Sequence, residues 1–217
     1  MSEPTNIAAS VSVDYFEDMF AGSDDPWAFR TRWYEQRKRD LTLAALPRQR
    51  YVRIFEPGCA NGELSLRLAT RCEALLCMDM SPRAVALAQQ RLSGYPQAQV
   101  IEGCLPQHWP EGEFDLVVIS EWAYYLAPDM LAQVLERITA SLTHDGAVLA
   151  CHWLHPIDGC PMLGREAHEL IDKHLDLPRI LSHEEPDFLL QLWSKHGGSI
   201  DLGEHVLEYD RGYVPVF

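Results

Sequence analysis

Hydrophobic positions in this chain fall into short, mostly apolar runs separated by stretches with helical spacing. Val52–Phe55, Ala74–Met78, Gln99–Ile101, Phe114–Glu121 and Ala147–Trp153 read as strands, each built on an apolar run. Between them, Leu64, Leu66, Leu68 and Ala69 predict one helix, and Pro82 to Leu92 a second with Ser81 as its N-cap. A third helix is expected from Asp129 to Leu142, with Met130, Leu131, Val134, Leu135, Ile138 and Leu142 on its inner face. Strands alternating with helices predict an α/β fold around a mostly parallel sheet.

The flanks read differently. The first ten or so residues are expected to fray. Val13, Phe16 and Phe20 predict a short helix, which Gly22 to Pro26 interrupts. Asp25 before Pro26 has the form of an N-cap with proline at the first helical position, so a second helix is expected from Trp27 to about Ala45. Its aromatic side chains either pack on the core or cap a pocket. After strand five, with His144-Asp145-Gly146 as the turn into it, the pattern gives a loop over 156–164 and a helix from Arg165 to Leu175. A closing hairpin follows, Arg179–Glu184 and Phe188–Trp193, with some strand character at His205–Tyr209. The whole suits one domain of 217 residues: helices or a lid over 1–47, a core sheet over 48–195, and an extension over 196–217.

Chemistry concentrates where the first strand ends. Glu56-Pro57-Gly58-Cys59-Ala60-Asn61-Gly62 is a strand, a tight turn and a helix start, the layout of a nucleotide-binding loop. A dinucleotide loop would read G-x-G-x-x-G and face a pyrophosphate. Here Glu56 stands just before the first glycine, where it repels a pyrophosphate and suits a cationic ammonium. Asp79, at the tip of the second strand beside Met80, is placed to accept both hydroxyls of a ribose.

The Glu56–Gly62 segment resembles motif I of class I S-adenosylmethionine (SAM) methyltransferases, E/D-x-G-x-G-x-G, with Ala60 in place of the middle glycine. Asp25-Pro26-Trp27 with Tyr34-Glu35-x-x-Lys38, and Ser120-Glu121-x-x-Tyr124-Tyr125-Leu126, are similar to segments of the nodulation-protein-S-like (NodS-like) methyltransferases. The resemblance runs to about Trp193 and implies a Rossmann-like, doubly wound seven-stranded sheet of order 3-2-1-4-5-7-6. Its last strand would be antiparallel, with N-terminal cap helices folding over SAM. It makes Trp27, Arg30 and Tyr34 candidates for the methionine carboxylate or the lid. Glu56, Gly58, Ala60, Gly62, Asp79, Met80 and Ser120 become candidate cofactor contacts. The backbone of Cys104 and Leu105 would bracket the adenine, because Cys104 replaces the family's acid.

Glu121, Tyr124 and His152 sit at expected strand ends, where open α/β sheets place their active sites. Glu121 suits a hydrogen bond to an amine or hydroxyl nucleophile and also a cofactor contact. Tyr124 suits the wall of the transfer site. His152 reads equally as a proton acceptor or as a satisfied structural histidine. The implied reaction is methyl transfer from SAM to nitrogen or oxygen of a small molecule, with an amino sugar favoured by the family. A non-catalytic SAM-binding module and an NAD-dependent oxidoreductase are the competing classes.

A net charge of −14 disfavours nucleic acid, which needs a basic footprint. Eight of the 18 lysines and arginines fall between Arg30 and Arg53, a pattern equally natural for a solvated helix face. His152 and His155 lack the partners of a metal site, so no metal is expected. Six cysteines without a C-x-x-C pair, no run approaching the ~20 residues that cross a bilayer, and no signal-peptide pattern point to a cytoplasmic protein.

Overall fold

The computed structural model describes residues 10–197. The strand expected at His205–Tyr209 and the fraying expected of residues 1–9 lie outside the described residues. Seven strands form one sheet of order β3-β2-β1-β4-β5-β7-β6. They are β1 (Tyr51–Pro57), β2 (Cys72–Asp79), β3 (Ala98–Glu102), β4 (Phe114–Ser120), β5 (Leu142–Trp153), β6 (Arg179–Glu184) and β7 (Phe188–Ser194). The first five run parallel, and β7 is antiparallel to both neighbours. This is the sheet order implied by the resemblance.

β4 explains its own sequence. Leu116 and Val118 enter the core on one face of the sheet, and Val117 and Ile119 enter it on the other. A strand covered on both faces has no polar side to show, hence the unbroken apolar run. Its one acid, Asp115, accepts the Val52 and Arg53 amides at 2.8 Å and so holds the start of β1. The helices α3 (Glu63–Leu68), α4 (Pro82–Arg91), α5 (Pro128–Ser141) and α6 (Gly164–Leu175) cover the sheet, preceded by α1 (Val13–Gly22) and α2 (Trp33–Ala44). The Ser81 hydroxyl caps α4 through the Ala84 amide, as its position suggested.

Two boundaries differ from expectation. The helix expected from Trp27 begins only at Trp33. Asp25 does cap, but it accepts the Phe29 and Arg30 amides around a turn in which Ala28 has φ of 57°, which no helix accommodates. The turn expected at His144-Asp145-Gly146 lies inside β5, because Leu142 already pairs with Phe114 and the register shifts over the next residues.

Candidate active site

β1 and β4 pair only at Ile54 with Leu116 and Phe55 with Val117, so their carboxyl ends part. This is the switch point of the sheet, and the crevice of an open α/β fold lies there. The glycine turn fills its rim. Gly58 and Gly62 have φ of 69° and 78°. A Cβ on Gly58 would stand 2.8 Å from Trp122 Cδ1, so only glycine lets the turn pass that ring. Ala60 is also left-handed, with φ of 48°. Its amide donates to Asp79 Oδ2 at 2.8 Å, while the Ser81 amide donates to Oδ1 at 3.0 Å. Asp79 thus ties the turn after β1 to the tip of β2. Two bonds leave lone pairs on both of its oxygens for a ligand.

A cavity of about 680 Å³ opens at these strand ends, within the range of small-molecule sites. Glu56, Gly58, Ala60, Asp79, Met80, Cys104, Leu105, Ser120, Glu121 and Tyr124 line it, together with Trp27 and Tyr34 from the N-terminal region. The N-terminal segment crosses the mouth. The Val11 amide bonds the Tyr125 carbonyl, Ser10 Oγ accepts the Ala127 amide, and the Ser81 hydroxyl meets the Glu17 carboxylate.

Three sequence candidates lie off the lining. Gly62 opens α3, where a Cβ would press on Ala88 of α4. Arg30 turns to Glu63 at 3.5 Å. His152 is fully buried behind the site, and both its ring nitrogens are occupied. Nε2 accepts the Ala123 amide at 3.3 Å, and Nδ1 meets His168 Nε2 at 3.0 Å. His168 Nδ1 in turn meets Gln191 Oε1 at 2.7 Å. Accepting at Nε2 makes His152 a donor at Nδ1, which fixes both neutral tautomers along the chain. Burial lowers the pKa of His152 well below the ordinary histidine value. Its position and bonding are those of a brace for the 3-10 turn Ala123–Tyr125, which corrects the expectation of a proton acceptor at the active site.

The charged groups of the site are unevenly compensated. Glu56 is buried with a Cys77 thiol at 3.6 Å and no ion-pair partner among the described residues. Burial, with the Asp79 charge adding to it, pushes its pKa up to about 8. Glu121 is the opposite case. Lys38 Nζ approaches Oε1 at 2.5 Å, while the Tyr124 hydroxyl and the Trp153 amide donate to Oε2 at 2.7 and 2.9 Å. Lys38 also meets Glu35 at 3.1 Å. Burial works against the Lys38 charge, but the two carboxylates outweigh it and hold the pKa above its usual value. Glu121 adopts φ of 60°, a conformation that non-glycine residues keep where the surroundings enforce it.

Sequence reasoning assigned no role to Glu35, Lys38 and Arg39, since charges on a helix usually mark a solvated face. Their spacing offered a partial signal. Glu35, Lys38, Arg39 and Thr42 follow the three- and four-residue steps of one helix face and all line the cavity. Among the described residues, seven buried side-chain nitrogen or oxygen atoms lack a partner. Four of them, Tyr34 Oη, Arg39 Nη1, Asn61 Oδ1 and Trp122 Nε1, belong to cavity-lining residues, the pattern of a site shaped for a polar ligand.

Sheet order, switch-point cavity and glycine turn define a Rossmann-like fold of the class I methyltransferase type. The family model for nodulation protein S (NodS) matches residues 14–152, and the chain belongs to that family. It is 31% identical over 105 residues to nodulation protein S of Sinorhizobium fredii, covering 48% of this chain and 49% of that protein. The chain spans about half the length of the first curated relatives it matches. A crystal structure of a candidate methyltransferase from Pseudomonas syringae is 52% identical with a TM-score of 0.68, over 75% of this chain and 99% of that one. N-methyltransferase NodS from Bradyrhizobium japonicum WM9, in complex with S-adenosyl-L-homocysteine (SAH), shares the fold at 20% identity and a TM-score of 0.71. That likeness covers 84% of this chain and 97% of that one.

Proposed function

We propose that this chain is a SAM-dependent methyltransferase acting on nitrogen of a small-molecule amine in the cytoplasm, with an amino-sugar-type acceptor favoured. The observation that carries the reading is the pair of acids that bracket the glycine turn at the cavity, Glu56 buried and Asp79 half-buried. An acid beside the turn suits an ammonium and opposes a pyrophosphate, and the acid at the β2 tip suits a ribose. The N-methyltransferase among the structural relatives supports nitrogen as the acceptor atom. The free thiols of all six cysteines suit a reducing compartment.

The residues present fit SAM. Asp79 would take the ribose hydroxyls and Glu56 the ammonium, while Met80, Cys104 and Leu105 would flank the base. Once bound, SAM supplies an activated methyl on its sulfonium, so the protein's work is alignment and the exclusion of water. Glu121, held by three donors, and Tyr124 would orient the acceptor. The carboxylates of Glu121 and Glu35 outnumber the single Lys38 charge between them and so favour an amine over an anion. The described part of the N-terminal segment, residues 10–47, acts as the lid, and the aromatic side chains beneath it exclude water.

Calorimetric titration of wild type and Asp79→Asn with SAM, SAH and NADH tests the reading. Saturable binding of the first two, weakened by the substitution, supports it, and NADH binding alone overturns it. Transfer of labelled methyl to a panel of amino sugars and small amines then separates an enzyme from a silent binding module.

A further inference from the structure

We propose that Arg39 receives the carboxylate of the ligand's amino-acid end, a role for which the resemblance made Trp27, Arg30 and Tyr34 candidates. The inference rests on the cofactor reading above. Among the described residues, three cationic side chains line the cavity, Arg32, Lys38 and Arg39. Lys38 is spent between Glu35 and Glu121, and Arg32 is exposed to solvent. Arg39 is partly buried, forms no ion pair among the described residues, and keeps Nη1 buried without an acceptor.

The acids around Arg39 are already committed. Asp40 holds Arg67 at 2.9 Å, and Glu35 holds Lys38. Asp25 accepts the Phe29 and Arg30 amides and the Asn61 side chain. Burial without full compensation lowers the pKa of Arg39 from its ordinary value. A guanidinium kept this way presents a planar fork to an anion, and a carboxylate fits it in a bidentate pair. The same cavity offers Glu56 and the unpartnered Asn61 Oδ1, both suited to a cation. One ligand end carrying both signs of charge is an α-amino acid. A phosphate would answer Arg39 alone and leave Glu56 and Asn61 Oδ1 without the cation that suits them. Arg30 is engaged with Glu63 and lies off the lining.

The test compares two ligands that differ only at this end: SAH, and 5′-methylthioadenosine, which keeps the nucleoside thioether and lacks the amino acid. Arg39→Met should lower SAH affinity on the order of 30-fold and leave 5′-methylthioadenosine affinity unchanged. Arg39→Lys should recover part of the loss, and Arg30→Met should keep SAH within about twofold of wild type. Undiminished SAH binding by Arg39→Met overturns the assignment. An equal loss of both ligands does so too, since it marks a structural role. Wild type binding neither ligand overturns the cofactor reading, and this assignment falls with it.

Discussion

Lys38 on α2 and Glu121 after β4 meet at 2.5 Å, joining the N-terminal helix to the carboxyl edge of the sheet. Both side chains are largely removed from water, so the pair's desolvation cost is offset only while both partners remain. Lys38→Met strands the Glu35 and Glu121 charges and should destabilise the protein by roughly 3–5 kcal/mol. Adding Glu121→Gln should recover a large part of that loss. Denaturant unfolding of the two single variants and the double variant measures the coupling. Additive losses would show that the contact carries no energy of its own.

Glu56 binds a proton in the free protein below about pH 8. An ammonium docked beside it favours the ionised form, so ligand binding should expel that proton. SAH titrations at pH 7, in buffers of different ionisation enthalpy, should report the release of about one proton. The number should fall toward zero above pH 8, and Glu56→Gln should abolish it. A buffer-independent enthalpy at pH 7 would refute the linkage.

The left-handed Ala60 carries a Cβ where the backbone does not favour one. Relief of that strain is worth about 1–2 kcal/mol, and glycine's greater freedom in the unfolded chain takes back roughly half of it. Ala60→Gly should therefore raise the unfolding midpoint slightly while preserving the Ala60 amide bond to Asp79 and hence SAH affinity. Gly58→Ala has no such outlet, because its Cβ would push Trp122 aside. It should cost SAH binding.

The His152–His168 pair gives the fold an acid limit. Burial holds His152 far below its ordinary value and His168 down to about 4. As pH falls below the ordinary histidine value of 6.5, the unfolded chain takes up protons that the folded pair refuses. Stability should then decline, by up to about 1.4 kcal/mol per pH unit for each histidine. The decline should continue as the pH nears 4. Unfolding midpoints across that window for wild type and His168→Gln check it, with a shallower slope expected in the variant.

Much of the site was readable because its chemistry is local. Glu56, Gly58, Ala60 and Asp79 sit at strand ends that hydrophobic runs locate to within a residue or two. The spacing between strand, turn and acid belongs to the chain itself. His152 was ambiguous for the complementary reason. Its sequence position at the end of β5 is that of a catalytic group, but its neighbour His168 is on α6 and its acceptor role toward Ala123 depends on packing. Arg30 and Arg39 occupy the same basic stretch. Only the fold shows that one meets Glu63 and that the other forms no ion pair among the described residues.

By itself the sequence determined the alternation of strands and helices, the switch-point turn and the acid at the tip of β2. Side-chain periodicity and the backbone demands of a tight turn are written in consecutive residues. Tertiary structure decided which charges are spent and which remain available for a ligand. Lys38 is locked by carboxylates three and 83 residues away. Arg39 is left facing a cavity, and Glu56 has no ion-pair partner among the described residues. A side chain's charge state and availability depend on burial and on partners brought together by the fold, and no local pattern records either.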